Sequence, residues 1–231
     1  YLPLELLAEG PRALPAFTRA GAGVAAVLPP VLDSSQTGAL QAQLRQLQAL
    51  GIQEVVAASM SQVLLCRALG FTVRGGLGLQ AANAGALQCM RETRLASATL
   101  SPDLSMAQVR AMPKPLPAEL VVYGRLPVML LNRCIIKKSA GRCNCHNPCS
   151  ISNREGAVFP IMREFGCKNV IYDNQKLFLA DHRRDYERAG LWAIRLEMTT
   201  ESPRECAAVV KAYKGLGSHH PNGITHGRYY H

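Results

Sequence analysis

Residues 52–58, Ile-Gln-Glu-Val-Val-Ala-Ala, form an apolar run that is followed by a helical pattern from Ser61 to Leu69, by Gly70, and by the apolar residues 71–73, Phe-Thr-Val. The first run is rich in β-branched residues and short enough for a buried strand. A strand, a helix and a second strand at this spacing predict a βαβ unit, in which the two strands lie parallel because a helical crossover joins them.

The same alternation continues on both sides of this unit. Upstream, Gly23 to Leu28 predicts a strand, and Gly38 to Leu50 has leucines at helical spacing, with Gly51 as a candidate C-cap. Downstream, the pattern predicts a helix over 83–93, a strand over 95–100, a helix capped by Ser101 with Pro102 at its first position, and a strand over 119–123. Five such strands predict an open doubly wound sheet or part of a (β/α)₈ barrel.

The second half of the chain is organised differently. The segment from Leu126 to Cys167 has no long periodicity, and a loop of this length needs another source of order, which metal ligation would supply. After it we predict a short element over 177–179, a helix over 181–189, a strand over 192–197 and a helix opened by the Ser202–Glu205 capping box. The predicted division is a partial β/α barrel (1–125), a cysteine-rich metal-binding insertion (126–176) and a final β/α unit with a tail (177–231).

Charge and composition narrow the class of protein. The 26 Lys and Arg against 16 Asp and Glu give a net charge of +10, which favours a polyanionic partner such as RNA, or else a basic surface whose acidic partners lie elsewhere. No apolar run reaches the roughly 20 residues of a membrane helix, so no membrane partner is expected. With eight cysteines and no secretory signal, we expect reduced thiols and a cytoplasmic location. Because the first residue is Tyr1, we expect the chain to be part of a longer protein.

Five cysteines crowd into the middle of the chain, and they are the candidate metal ligands: Cys134, Cys143, Cys145, Cys149 and Cys167. Four thiolates complete a tetrahedral zinc site or a 4Fe–4S cluster. The spacing lacks the paired CxxC motifs usual for zinc, which favours iron–sulfur and leaves zinc as the alternative. No acidic residue lies between Arg133 and Arg154, so positive charge surrounds the thiolates.

Other candidate site residues are weaker. Glu197 ends a predicted strand and could be catalytic, or it could pair with Arg195 or Arg204. The glycine-rich residues 74–78 could cradle a phosphate or form a tight strand end. Four histidines of the C-terminal tail could bind a metal or form an exposed or partner-facing tail, and they lack helical spacing: His219, His220, His226 and His231. His146, within the cysteine group, is a weaker ligand candidate.

Several motifs together carry a resemblance to a known family. They are Glu119-Leu-Val-Val-Tyr-Gly-Arg-Leu-Pro-Val-Met129, Asn132-Arg-Cys134, Asn153-Arg-Glu-Gly156 with Phe159-Pro160, Cys167, Leu179-Ala-Asp181, Arg195-Leu-Glu197 and Gly227-Arg-Tyr-Tyr230. In these residues the chain resembles the collagenase-like "U-thirty-two" peptidase family, in particular the C-terminal module of its longer members. The resemblance implies an upstream module of the same longer chain.

The resemblance further implies a TIM-like barrel and a 4Fe–4S cluster on Cys134, Cys167 and two of the other three cysteines of the group. Its first functional hypothesis is hydroxylation of RNA bases, or of a ring substrate such as ubiquinone. The second is a peptidase acting on collagen-like or other peptides. The third is a non-catalytic module that stabilises an upstream barrel, which Gly76 and Thr199 favour because they depart from the family pattern.

Overall fold

Parallel strands connected by helices are present in the computed structural model, which describes residues 1–10, 14–143, 149–164 and 167–230. The chain divides into two compact units, Tyr1–Ser101 with Met112–Glu119, and Pro102–Ala111 with Leu120–His231. The predicted mixed α/β class with a parallel sheet is confirmed.

The first unit contains a parallel sheet whose strands pair in chain order. Val55 lies opposite Val73, and Ala98 lies opposite Ala118. The elements are β1 (Leu2–Pro3), α1 (Leu4–Glu9), α2 (Leu14–Arg19), β2 (Ala25–Val27), α3 (Thr37–Ala49), β3 (Glu54–Ala57), α4 (Met60–Ala68), β4 (Thr72–Gly75), α5 (Ala84–Glu92), β5 (Ser97–Thr99) and the start of β6 (Ala118–Gly124).

Sequence periodicity locates α3, α4 and α5 because each of these helices has one buried face. Leu40, Leu44 and Leu47 of α3 are at most 1% exposed, and Gly51 follows with a positive φ of 77°. The side chain of Ser59 accepts the Gln62 N–H at the start of α4. The predicted strands and helices of this unit are confirmed, with ends shifted by one or two residues.

The prediction of a helix capped by Ser101 is wrong. The helix of this segment, α6 (Met106–Ala111), begins later in the chain. The Gln108 N–H bonds the Ser105 hydroxyl at 3.2 Å, and the Ser105 N–H bonds the Gln108 side chain at 2.8 Å. This reciprocal pair satisfies two donors that would otherwise lack partners, and it fixes the helix start at Ser105.

The second unit has two sheets. Its elements after α6 are the rest of β6, β7 (Pro127–Leu131), α7 (Ile135–Ala140), β8 (Cys149–Ser152), β9 (Val158–Glu164), β10 (Lys168–Tyr172), β11 (Lys176–Phe178), α8 (Arg183–Glu187), β12 (Ala193–Glu197), α9 (Pro203–Tyr213) and β13 (Ile224–Thr225). Strand β11 pairs antiparallel with β6 and parallel with β13, and β12 also pairs with β6. The predicted Ser202–Glu205 capping box opens α9.

The described residues between 126 and 172 contain more regular structure than the sequence led us to expect. Four strands form an antiparallel sheet in the order β7-β10-β9-β8. The strands are short, and β7 is exposed at four of its five residues, so no alternation of buried and exposed residues marks it in the sequence. Cross-strand hydrogen bonds therefore supply order that we had expected from metal ligation alone.

A buried ion pair stabilises the second unit. The Lys176 ammonium lies 2.8 Å from Oε1 of Glu201, whose side chain is 0% exposed. Oε1 of Glu201 also accepts the Tyr123 hydroxyl, and Oε2 accepts the Thr199 N–H at 2.6 Å. Burial acts to raise the pKa of Glu201, but the Lys176 ammonium and the Thr199 N–H more than offset it and hold the pKa below its ordinary value.

Within the glycine-rich residues 74–78, Gly78 packs closely against the backbone of Ala58. A Cβ placed on Gly78 would lie 2.4 Å from the Ala58 carbonyl oxygen. We therefore expect Gly78→Ala to destabilise the protein by about 1–3 kcal/mol through overpacking. Gly38→Ala, in α3 where nothing lies within 4 Å of the new Cβ, should stabilise by about 0.5–1 kcal/mol. Urea unfolding measures the unfolding free energy of both variants. An equal change in the two variants would contradict the close packing of Gly78.

The buried ion pair predicts a dependence of stability on pH. Because the folded pKa of Glu201 is lowered, its contribution is complete above the unfolded pKa of about 4.3 and is lost as pH falls below it. Glu201→Gln should cost about 3 kcal/mol at pH 7, since it leaves Lys176 buried without its anion, and should weaken the acid dependence.

Urea unfolding at pH 7 and pH 3 measures this effect. The matched control is Glu187→Gln, which removes an exposed partner of Arg183 on α8 and should change the unfolding free energy by less than about 0.5 kcal/mol. A Glu201→Gln protein as stable as this control at pH 7 would refute the role of the pair.

Candidate metal centre

Three cysteine thiols meet at one place in the second unit. The Sγ atoms of Cys134, Cys143 and Cys167 all lie within 4.8 Å of one another. Cys143 Sγ is 3.8 Å from Cys134 Sγ and 3.2 Å from Cys167 Sγ. These three residues, here called the cysteine triad, could hold a metal ion.

Strand pairing brings the two distant members of the triad together. Leu131 at the end of β7 lies opposite Asn169 of β10. Cys134 follows β7, and Cys167 directly precedes β10, so the two cysteines leave neighbouring strands at the same end of the sheet. Cys167 has a positive φ of 66°, a conformation that turns the chain sharply into β10.

Helix α7 positions the other side of the triad. Cys134 is its N-cap, and its Sγ accepts the Lys137 N–H at 3.4 Å. The Ile135 N–H donates to Oδ1 of Asn169 at 2.9 Å, and Asn169 is 0% exposed. Gly141 ends α7 with a φ of 72°. The chain then turns back, and Cys143 reaches the start of the helix.

Of the other two cysteines of the predicted set, the structure describes one. Cys149 lies on β8 opposite Ile161 of β9, and its thiol is not part of the triad. Cys145 lies outside the described residues. We predicted that four of the five cysteines bind the metal. Three of them lie together in the structure, and the identity of the fourth remains a prediction.

The triad has the chemistry of a soft-metal site. Thiolates bind zinc and iron, and three of them supply most of a four-coordinate donor set. Around one ion with metal–sulfur bonds of about 2.3 Å, tetrahedral geometry separates the sulfurs by roughly 3.8 Å. The spacing of the triad is near this value. A four-iron cluster would require the sulfurs to lie further apart, because each binds a different iron.

The surroundings of the triad are basic. The described part of the segment carries five exposed Lys and Arg side chains and no acidic residue between the first and the last of them: Arg133, Lys137, Lys138, Arg142 and Arg154. Thiolate-bound metal centres carry net negative charge, which nearby cations offset. The charge of the segment therefore suits a metal bound by several thiolates.

Glu197 pairs with a neighbour on its own strand. Its Oε1 forms an ion pair with Nη2 of Arg195, and its side chain is 27% exposed. Gly124, at the end of β6, has a φ of 119°, and a Cβ there would lie 2.1 Å from the Glu197 carbonyl oxygen. Of the two partners considered, the structure gives Arg195. The catalytic role of Glu197 remains a prediction.

The histidines form contacts that the sequence did not indicate. His226 lies 4.7 Å from the ring of His182, which stacks on Tyr230 at 4.0 Å. The Tyr230 hydroxyl donates to Asp185 at 2.7 Å. Sequence periodicity gives no signal for this cluster, because the tail and α8 lie far apart in the chain. His146 and His231 lie outside the described residues.

The cysteine triad predicts which substitutions remove metal. Cys143→Ser should weaken metal binding by at least about tenfold, since losing even an outer-shell partner of a metal costs 10–100-fold. Cys89→Ser, at an exposed cysteine of α5, is the matched control. Metal content after titration with a chelator measures the effect. Equal metal retention in the two variants would contradict the site.

Comparison with known proteins gives one match. The family model described as Peptidase family U32 matches residues 9–223. No curated protein and no solved structure matches the chain. In the described residues no helix has both the length and the apolar character needed to cross a membrane. The family match spans nearly the whole chain and agrees with the resemblance seen in its motifs, so the chain belongs to peptidase family U32.

Proposed function

We propose that this chain is an iron–sulfur protein that supports hydroxylation of RNA bases, or of a related ring substrate. The observation that carries the proposal is the convergence of three thiols inside a basic segment, and a four-iron cluster there would require the sulfurs to move apart from their 3.8 Å and 3.2 Å separations. The parallel sheet of the first unit would be part of a TIM-like barrel, and the cysteine segment an insertion in it. The protein would act in the cytoplasm, where thiols stay reduced.

The residues that would hold a 4Fe–4S cluster are Cys134, Cys143, Cys167 and either Cys145 or Cys149. When bound, the cluster would supply one-electron chemistry. Asn169 would hold the first turn of α7, and so Cys134, in place through the Ile135 N–H. The cations of the segment would offset the charge of the cluster.

RNA is the favoured partner because of charge. The chain carries a net charge of +10, and five exposed cations belong to the same segment of the chain as the triad. Basic side chains bind phosphates and release their counterions, which drives association with nucleic acids. A substrate held in this way would approach the metal without a separate recognition domain.

Zinc is the second candidate for the metal. The 3.8 Å and 3.2 Å separations of the sulfurs favour a single ion over a cluster. With zinc, a peptidase acting on collagen-like or other peptides becomes the better hypothesis, and the family's description agrees with it. In that case the metal would polarise a carbonyl or activate a water molecule.

A non-catalytic role is the third hypothesis. Glu197 is engaged by Arg195, and the following loop is held by Glu201, which accepts the Thr199 and Thr200 N–H groups. A module of this kind would stabilise an upstream catalytic module of the same longer chain. It would keep its metal for structural reasons, as closed thiolate sites do.

Anaerobic purification separates these hypotheses. We expect a brown protein with iron and acid-labile sulfide in equal amounts, and RNA that is released at high salt. A colourless protein with one zinc per chain would overturn the iron–sulfur proposal. Peptide cleavage by the wild-type protein that disappears in Cys143→Ser and survives in Cys89→Ser would favour the peptidase. Absence of cleavage in the wild-type protein and both variants would favour the other hypotheses.

A further inference from the structure

An apolar pocket of about 450 Å³, open to solvent, lies in the second unit, and one of its walls is formed by the residue that follows Cys134. Its walls are four isoleucines, with Cys149 and Ser150 as the polar contributions: Ile135 and Ile136 of α7, Ile151 of β8 and Ile161 of β9. The volume falls in the range of small-molecule sites, which are mostly apolar with a few polar groups. None of these residues is a member of the triad.

The pocket is fixed relative to the triad by covalent and hydrogen-bonded links. Ile135 directly follows Cys134, and its N–H donates to the buried side chain of Asn169 at 2.9 Å. On the opposite wall, Cys149 lies opposite Ile161 in the β8–β9 pairing. The pocket and the triad therefore share α7, through the consecutive residues Cys134 and Ile135.

The residues that follow the walls of the pocket along the chain are basic. Lys137 and Lys138 continue α7 beyond the two isoleucines, and Arg154 follows β8 closely; all three are exposed. An apolar pocket in a segment that also carries exposed cations suits a ligand with an apolar ring on an anionic chain. The π-face of a nucleobase would contact the isoleucines, while its flanking phosphates would meet the cations.

We propose that this isoleucine pocket binds one unstacked base of a single-stranded RNA, whose backbone lies along Lys137, Lys138 and Arg154. The proposal rests on the proposed function and names the recognition site for its substrate. Enzymes that act on a base must first take it out of its stack, and a pocket beside the reacting centre is what receives it. Charge complementarity favours RNA over a peptide.

Binding of an RNA oligomer of about ten nucleotides tests the pocket, against an abasic oligomer of the same length. We expect the wild-type protein to bind the oligomer with bases about tenfold tighter. Ile151→Ala should remove most of that preference. Ile194→Ala, an isoleucine of similar exposure on β12, should retain it. Lys137→Glu with Lys138→Glu should weaken both oligomers by a similar factor, as phosphate contacts do.

Footprinting of Cys149 tests the pocket without any substitution. RNA should slow alkylation of Cys149 by N-ethylmaleimide, read by mass spectrometry, and should leave the exposed Cys89 unaffected. Equal binding of the two oligomers, or no protection of Cys149, would overturn the pocket. Absence of Cys149 alkylation in the RNA-free protein would place this thiol on the metal and would also overturn it.

The two proposals fail separately in these experiments. Iron content is measured on the same preparation, so a zinc protein that prefers RNA with bases would refute the iron–sulfur function and retain the pocket. An iron–sulfur protein that binds both oligomers equally would retain the iron–sulfur function and refute the pocket. Polyglutamate serves as an anionic competitor without bases. If it displaces the RNA oligomer as well as unlabelled RNA does, and Ile151→Ala has no effect, the segment recognises charge alone and the base site is overturned.

Discussion

The hydrogen bond from the Ile135 N–H to Oδ1 of Asn169 is the contact on which the candidate centre depends. Asn169 is 0% exposed, so its side chain needs a partner inside the protein. The bond ties the first turn of a six-residue helix to a strand, and such a helix has little stability of its own. The position of Cys134 therefore follows from β10 and not from the helix alone.

Most elements of the first unit could be predicted from the sequence, because a parallel sheet buries whole apolar runs. The leucines of α3 and the valines of β3 carry the pattern of their burial directly. The helix after Ser101 could not be located in this way, since two Ser-containing starts compete and only the Ser105–Gln108 pair closes both hydrogen bonds. The exposed strands of residues 126–167 left no periodic signal at all.

The sequence predicted the candidate centre as a set of cysteines, and the structure selects three that lie together. Spacing could not make that selection, because the meeting of Cys134 with Cys167 depends on the pairing of β7 with β10. Strand pairing joins residues far apart in the chain, and it depends on which strand edges are free to form hydrogen bonds. The partner of Glu197 was equally open in sequence, since Arg195 and Arg204 are both near it, and the i, i+2 geometry of a strand decided for Arg195.

Cys167 has a left-handed backbone conformation, with φ at 66°, that a glycine adopts without strain. A side chain at such a position costs about 1 kcal/mol or more. A metal held by the triad would require the thiol that the local backbone disfavours, so ligation and local stability would make opposing demands on this residue. Selection for thermal stability alone would tend to replace it with glycine. If related proteins keep cysteine at this position, they do so because metal ligation is selected, since selection for folding alone would favour glycine.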